Sequence, residues 1–317
     1  MRLIARRGAE VLVYTHLPDV FRITLTETPV ELLDVEPSMW GSLVRGSDAA
    51  IVIDAPHDTR SLEGVDPDRL QRFARGHEAL KSHRLNNVRW VICNYPTDAL
   101  AADAGMTLTE YADFVYDACL IDWTLIESRT RALKTAMDGA RQVEIVGPGT
   151  ELSLSLDGRI GQVADGKRNI PDGETFWSPV EDSTEGVVRF DFPAIHNGHE
   201  VSGVELEFRG GRVVRASAVS GQEFLESVLD TDPGARVLGE LGVGVNYGIT
   251  RFTKSILFDE KIGGTVHLAL GNGFQHIGGR NVSAIHWDMI KDLRAGGELR
   301  ADGRVIQADG EFTIFPT

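Results

Sequence analysis

The chain has 317 residues, is 42% hydrophobic and carries a formal net charge of −15 at pH 7, a composition typical of a globular protein with room for two domains. This charge argues against nucleic acid or an anionic membrane surface as a partner, because both are bound by clustered Lys and Arg. No apolar run reaches the roughly 18 residues that a bilayer span requires, so we expect no membrane.

The N-terminal stretch and the cysteines predict a cytoplasmic location. The basic start "MRLIARRGAEVLVYTH" contains neither a long apolar region nor a small-residue cleavage site, so it does not resemble a secretory signal. Cys93 and Cys119 are the only cysteines, and both lie in apolar sequence. We therefore expect two buried thiols in a reducing compartment.

The first 143 residues alternate short apolar runs with helical patterns, which predicts an α/β domain over 1–143. Buried parallel strands are predicted, with no helix before the first, at "AEVLVYT" (9–15), "AAIVIDA" (49–55) and "RWVICNYP" (89–96). Helices are predicted over "DPDRLQRFARGHEALKSHRL", "TLTEYADFVYDACLID" and "IESRTRALKTAMDGA". Thr107 and Glu110 occupy the positions of a capping box at the start of the second helix.

From residue 144 the pattern changes to short strands separated by turn residues, which predicts a β-rich α+β catalytic domain over 144–317. The predicted strands lie in "LSLSLDGR", "GVVRFDF", "GVELEFRGGRVVRASA", "TVHLAL" and "GELRADGRVIQADGEFTIF". One helix is predicted between them, over "GQEFLESVLDTDPGARVLGELG" (221–242). The fold class is therefore an α/β N-terminal domain followed by a β-rich domain.

The strongest local motif is "AIHWDM". Residues two apart in a strand share a face, so His286 and Asp288 project together and can clamp a divalent ion. The alternative is a pair hydrogen-bonded to each other at a sheet edge. His267 favours a metal site, because an ionisable side chain in the apolar strand "TVHLAL" needs a partner or a metal ion. With His286 and Asp288 it completes a set of two histidines and one carboxylate.

Three glutamates also stand in unexpected places. Glu240 lies in the apolar stretch "RVLGELGVGV", and Glu174 lies in the turn-rich stretch "NIPDGETFWSPV". Glu260 precedes Lys261, so a solvated ion pair is the alternative to a functional role there. The glycines of "GELGVGVNYG" lack the spacing of a dinucleotide-binding motif, and we expect them to allow close packing or turns.

These motifs resemble, in the same order, those of the aminopeptidase T family of metallopeptidases, which includes aminopeptidase S and PepS. The resemblance extends over nearly the whole chain from about residue 7, which implies a chain lacking the first strand-and-helix unit. It is carried by "NYPTDALAADAGMTLTEYADFVYDAC", "GRIGQVADGKRNIPDGETFWSPVEDSTEG", "LDTDPGARVLGELGVGVNYGI", "LFDEKIGGTVHLALG" and "NVSAIHWDMI".

The resemblance implies a metal-dependent aminopeptidase, a hydrolase that removes N-terminal residues from peptides with a water activated by two metal ions. Two divalent ions (Zn, Co, Mn or Mg) would be held by Glu174, Glu240, Glu260, His267, His286 and Asp288. Glu240 is expected to bridge the ions, and either Glu174 or Glu240 to move the proton. The resemblance also implies a peptide substrate and a homodimer that encloses the active site.

One departure from the family concerns Phe274, which stands where the family has an active-site Tyr. A Tyr hydroxyl can ligate a metal or donate to a developing oxyanion, whereas Phe cannot. The alternative function is a mononuclear non-haem iron ring-cleaving dioxygenase, a relative of this family, in which His267, His286 and Asp288 would bind the iron. The surplus glutamates favour the peptidase. A third alternative is an inactive scaffold that keeps the metals for stability.

Overall fold

The computed structural model of the protein describes residues 1–315. The chain divides into two compact units, Met1–Ile51 with Pro56–Trp90 and Val52–Ala55 with Val91–Thr317. The predicted boundary between residues 143 and 144 lies within the second unit and stays a prediction. No helix among the described residues is long and apolar enough to cross a membrane.

The helices of the first unit are α1 (Arg2–Arg6), α2 (Pro18–Glu27), α3 (Val30–Leu33), α4 (Ser38–Arg45) and α5 (Pro67–Asn87). Helix α5 is the one predicted there, and its N-cap Asp66 accepts a hydrogen bond from the backbone N–H of Asp68. The strand predicted at residues 9–15 does not form, and α1 precedes this segment. Leu12 and Val13 are exposed there, since an apolar run becomes a strand only where a partner strand supplies hydrogen bonds.

The helices of the second unit are α6 (Asp98–Asp103), α7 (Leu108–Cys119), α8 (Trp123–Met137), α9 (Gln222–Leu229), α10 (Ile256–Asp259) and the 3₁₀ turn Gln275–Ile277. The predicted capping box is present, with Thr107 and Glu110 bonded to each other's backbone N–H. The helix predicted over residues 221–242 is too long. Helix α9 ends at Leu229 because Asp232 accepts the backbone N–H of Gly234 in a tight turn that contains a proline.

The strands are β1 (Ala49–Asp54), β2 (Arg89–Asn94), β3 (Val143–Gly147), β4 (Thr150–Leu154), β5 (Gln162–Ala164), β6 (Asn169–Ile170), β7 (Glu174–Trp177), β8 (Glu185–Arg189), β9 (Ala194–His196), β10 (His199–Val201), β11 (Glu205–Arg209), β12 (Arg212–Ser217), β13 (Leu238–Gly244), β14 (Thr265–Gly271), β15 (His286–Asp292), β16 (Glu298–Ala301), β17 (Arg304–Ala308) and β18 (Glu311–Phe312). Strands β1 and β2 form where predicted, but Ile51 and Ile53 of β1 are exposed rather than buried.

Two antiparallel sheets dominate the second unit. The larger has the order β12-β11-β8-β4-β3-β16-β17-β18, and the smaller has the order β15-β14-β13-β7-β5. Strands β9 and β10 form a hairpin, and β6 pairs in parallel with β2.

Cys93 and Cys119 are free thiols and only partly buried. The predicted fold class, α/β followed by a β-rich region, is confirmed.

The five-stranded sheet has two different faces. Leu241, Leu268 and Met289 belong to one face and pack into the main hydrophobic core, together with residues of the eight-stranded sheet. Their neighbours along each strand project to the other face, because side chains alternate across a strand. This second face carries Glu240 and His267, which are nevertheless buried. The alternation therefore explains how one sheet can serve both an apolar core and an ionisable cluster.

Candidate metal centre

The register of the five-stranded sheet aligns the predicted donors on one face. Ala269 of β14 pairs with Glu240 of β13 on one side and with Asp288 of β15 on the other. Residues paired across neighbouring strands lie on the same face of the sheet. His286 projects on the same face as Asp288, two residues away, and His267 lies two residues before Ala269.

Glu174 and Glu260 reach the same cluster from its other end. Glu174 is the first residue of β7 and pairs with Gly244 at the end of β13. Glu260 caps the short helix α10, and its backbone carbonyl accepts a hydrogen bond of 3.0 Å from Nδ1 of His267. Thus the loop before β14 and the first residue of β7 supply the last two predicted donors.

Ion-pair contacts link five of the six predicted donors, from Glu174 through His267, Glu240 and His286 to Asp288. Nε2 of His267 is 3.4 Å from Oε1 of Glu240 and 3.6 Å from Oε2 of Glu174. Nε2 of His286 is 3.0 Å from Oε2 of Glu240 and 3.5 Å from Oδ1 of Asp288. The structure therefore brings the predicted donors together.

Within residues 1–315, two groups of three side chains are compact enough to hold an ion. In each group the potential ligand atoms all lie within 4.8 Å of one another. The two groups share His267 and comprise Glu174, Glu260 and His267, and Glu240, His267 and Asp288. His267 therefore lies between two candidate ion-binding groups, one formed with Glu174 and Glu260 and the other with Glu240 and Asp288.

Lys261 is a member of this cluster that the sequence analysis did not assign to it. Its side chain is fully buried, and its Nζ pairs with Glu260 and lies 3.6 Å from Oε1 of Glu174. The alternative interpretation, a solvent-exposed ion pair between Glu260 and Lys261, is therefore wrong, because the lysine is buried. The sequence feature that could have predicted the burial of Lys261 is the apolar sequence around it, since Phe258 and Ile262 are also fully buried.

Gly242 makes room for His267. These two residues are directly paired across β13 and β14. A Cβ atom at position 242 would lie 2.7 Å from Nδ1 of His267 and nearer still to Cε1 and Nε2. The missing side chain thus allows the imidazole to lie across β13 and reach both Glu174 and Glu240. The expectation that these glycines permit close packing is confirmed at this position.

The charges of the cluster shift the pKa values of its members. Burial alone would lower the pKa of His267, but Glu240 and Glu174 raise it to about 10. Burial likewise opposes the charged form of His286, while Asp288 and Glu240 raise its pKa to about 11. Without a metal ion the cluster therefore retains protons on its histidines, because its negative charge requires compensation.

The glutamates respond in opposite directions. Burial raises the pKa of Glu174 well above its ordinary value. Burial also acts to raise the pKa of Glu240, but hydrogen bonds with His267 and His286 outweigh it and lower that pKa. The two carboxyl groups are thus chemically distinct, although both side chains are almost completely buried.

The arrangement of polar atoms fits divalent cations. Nδ1 of His286 contacts the backbone carbonyl of Asn272 at 2.9 Å, and Nδ1 of His267 is held in the same way by a backbone carbonyl, so each Nε2 faces the carboxylates. Two buried oxygens, Oε2 of Glu174 and Oδ1 of Asp288, have only the long histidine contacts above and no hydrogen bond within the described residues. Such atoms are costly to bury unless a cation binds them.

Phe274 lies at the edge of the cluster. Its ring centroid is 5.2 Å from that of His286 and 5.1 Å from that of Phe176. His276, two residues later, is exposed and contacts Oε1 of Gln162 instead of the cluster. The position where the resemblance implies a Tyr is thus beside the candidate metal ligands, and it provides no hydroxyl.

The model of the thermophilic metalloprotease (M29) family matches residues 1–312. The chain belongs to this family. It is 28% identical over 298 residues to aminopeptidase T of Thermus thermophilus, which covers 81% of this chain and 71% of that relative. The predicted resemblance is thereby confirmed, and so is the prediction of a hydrolase of the metalloaminopeptidase class.

Solved structures show the same fold. Wild-type AmpT from Thermus thermophilus matches with a TM-score of 0.83 at 24% identity, over 99% of this chain and 89% of that chain. The 2,5-dihydroxypyridine dioxygenase from Pseudomonas putida KT2440 matches with a TM-score of 0.55 at 15% identity, over 90% of this chain and 98% of that chain. Because both enzymes share the fold, the fold alone does not distinguish a peptidase from a dioxygenase.

Proposed function

We propose that this family member is a two-metal aminopeptidase that removes N-terminal residues from peptides. The observation that carries the proposal is the buried cluster of two histidines and four carboxylates, with two carboxylate oxygens that lack hydrogen bonds. The name of the Thermus relative, aminopeptidase T, supports the same substrate class. The proposed ligands are Glu174, Glu240, Glu260, His267, His286 and Asp288.

Two features of the cluster support a pair of ions. Each oxygen of Glu240 faces a different histidine, Oε1 towards His267 and Oε2 towards His286, as expected of a carboxylate shared between two ions. Four carboxylates would also balance the charge of two divalent cations. Zn, Co, Mn and Mg remain the proposed metals. When bound, the ions would lower the pKa of a coordinated water and polarise the peptide carbonyl.

Glu174 is the proposed proton carrier. Oε2 of Glu174 faces Nε2 of His267 at 3.6 Å without a hydrogen bond, whereas both oxygens of Glu240 face imidazole nitrogens more closely, at 3.4 and 3.0 Å. In this scheme Glu174 is the carboxylate not fully committed to the ions, so it accepts a proton from the attacking water and returns it to the leaving amine. Lys261 lies 3.6 Å from the other oxygen, Oε1, and so orients the carboxylate. The sequence alone allows either glutamate, and the hydrogen-bond pattern favours Glu174.

The dioxygenase alternative is not favoured. It requires His267, His286 and Asp288 alone, whereas Glu240 and Glu174 lie against the same imidazole of His267. A single iron site has no need of these additional buried carboxylates. The homodimer and the cytoplasmic location stay predictions.

The proposed activity is tested with a leucyl dipeptide and its N-acetylated form, using the metal-loaded protein. We expect cleavage of the free dipeptide only, because the α-amine would be the group that the site recognises. His286→Ala and Asp288→Ala should each abolish cleavage, and His199→Ala, an exposed histidine of β10, should not. Equal cleavage of the free and acetylated peptides would contradict an aminopeptidase.

A further inference from the structure

A small cavity of about 130 Å³ adjoins the candidate metal centre. An apolar cavity of about 150 Å³ can hold one benzene molecule, so this one suits a single side chain of medium size. We call it the apolar pocket, because five of the residues that line it are apolar: Pro193, Ile195, Phe252, Ile256 and Ile290. The charged residues Lys254, Asp259 and Asp288 complete its lining.

The apolar pocket and the metal centre share a wall. Asp288 lines the pocket and is also a proposed metal ligand, with Oδ1 3.5 Å from His286. Ile290 lies two residues further along β15, on the same face, and pairs with His267. A peptide whose first residue is held at the metal centre therefore has its first side chain within reach of the pocket.

The walls of the pocket are held in place by contacts that need no ligand. Phe252 stacks on Phe192, with ring centroids 5.1 Å apart and planes at 9°. The backbone N–H of Asp191 donates to the carbonyl of Ile290 at 3.3 Å, which ties the segment before β9 to β15. The pocket is consequently formed in advance, so binding a side chain costs little reorganisation.

Of the three charged residues that line the pocket, Asp259 and Lys254 already have partners, and Asp288 faces the candidate metal centre. Oδ1 of Asp259 accepts hydrogen bonds from the backbone N–H and the hydroxyl of Thr253, at 2.7 and 3.0 Å. Nζ of Lys254 pairs with Glu200 at 2.7 Å. The surface left for a ligand is therefore mainly the apolar groups of proline, isoleucine and phenylalanine. This favours an uncharged, apolar side chain.

We infer that the apolar pocket binds the side chain of the substrate's N-terminal residue and selects apolar residues of the size of leucine. The inference rests on the proposed aminopeptidase function. It assigns substrate preference to Pro193 and Ile195 in and before β9, to Phe252 in the loop before α10 and to Ile256 at the start of α10. None of these residues is a proposed metal ligand. Asp288 joins the two parts of the site, because it lines the pocket and faces the metal centre.

The test compares kcat/KM of the metal-loaded enzyme for leucyl-, alanyl- and lysyl-p-nitroanilide. The leucyl substrate should exceed the alanyl substrate by roughly tenfold or more, since apolar pockets discriminate about this much per methylene. It should also exceed the lysyl substrate. Ile256→Trp narrows the pocket, so the leucyl-to-alanyl ratio should fall at least tenfold. Val214→Trp, at an exposed position of β12, is the matched control and should leave the ratio unchanged.

Ile195→Ala provides a second variant, because it widens the pocket and should raise the phenylalanyl-to-leucyl ratio. Calorimetric binding of free L-leucine provides a readout without turnover, and Ile256→Trp should weaken it at least tenfold. Retained hydrolysis with an unchanged preference in both pocket variants would overturn the inference and leave the aminopeptidase intact. Absence of hydrolysis of any unblocked substrate by the native enzyme would overturn both.

Discussion

Replacement of Gly242 by Ala places a methyl group where the imidazole of His267 crosses strand β13. The added Cβ would lie 2.7 Å from Nδ1 and nearer to Cε1 and Nε2, whereas carbon atoms pack favourably at about 3.5–4.0 Å. The ring must therefore move by about 1 Å or more. Ligand positions in metal sites tolerate only about 0.2 Å, so His267 would lose its place in the site.

We expect Gly242→Ala to weaken metal binding at least about 100-fold. Substitution of residues that only contact a metal ligand already lowers metal affinity by about 10–100-fold, and here a ligand itself is displaced. The overpacked strand should also lose about 1–3 kcal/mol of the free energy of unfolding. Titration of the metal-free protein with Zn²⁺ against a competing chelator measures the affinity. Circular dichroism establishes that the variant is folded, and hydrolysis of leucyl-p-nitroanilide measures the activity.

Gly147→Ala is the matched control for this experiment. Gly147 also lies in a strand, β3, but a Cβ there would have its nearest neighbours at 3.5 Å, which is ordinary contact. It should bind metal like the native protein. A folded Gly242→Ala protein with native metal affinity and native turnover would show that His267 is neither displaced by the methyl group nor required for metal binding.

Three further predictions concern the same site. Phe274→Tyr should raise kcat at least several-fold with unchanged metal content, since one oxyanion donor is worth about 3 kcal/mol; a flat kcat would show that Phe274 does not limit turnover. Exhaustive chelation should abolish hydrolysis and lower the melting temperature, because the ligands bind metal only in the folded chain; full activity after chelation would rule out a metallopeptidase. Lys261→Met should cost about 3–5 kcal/mol of unfolding free energy in the chelated protein and less in the loaded one, because bound cations replace the lost charge. Lys291→Met, at a buried lysine paired with Asp191, is its control and should cost the same in both forms.

Local alternation in the sequence predicts much of the sheet that carries the site. The spacing of His286 and Asp288 places them on one face of β15, and the structure has both on that face. The strand around His267 also forms as predicted. The role of these residues as metal ligands stays a prediction. Their approach to Glu174 depends on a strand order in which β7 and β13 are neighbours, and no local pattern contains that information.

Other features depend on tertiary contacts that the sequence does not reveal. The apolar run at residues 9–15 has a strand pattern but is not a strand, and Leu12 remains exposed. The helical pattern continues after Leu229, but Pro233 and the turn between Asp232 and Gly234 end the helix, and the residues that follow pair with β7 and β14 as strand β13. From the sequence, Lys261 is expected at the surface as the ion-pair partner of Glu260. In the structure it is fully buried against the carboxylates of Glu174 and Glu260. Each outcome depends on which segments become neighbours in the folded chain.

Metal content per folded chain is the measurement that decides whether this cluster holds two metal ions. The protein should be purified without added chelator, or reconstituted with one divalent metal and freed of excess, and then analysed by plasma mass spectrometry together with its activity. We expect two ions per chain, and we expect Asp288→Ala to lose at least one of them along with hydrolysis. A single bound iron, or full peptidase activity with fewer than two ions, would contradict a two-metal site.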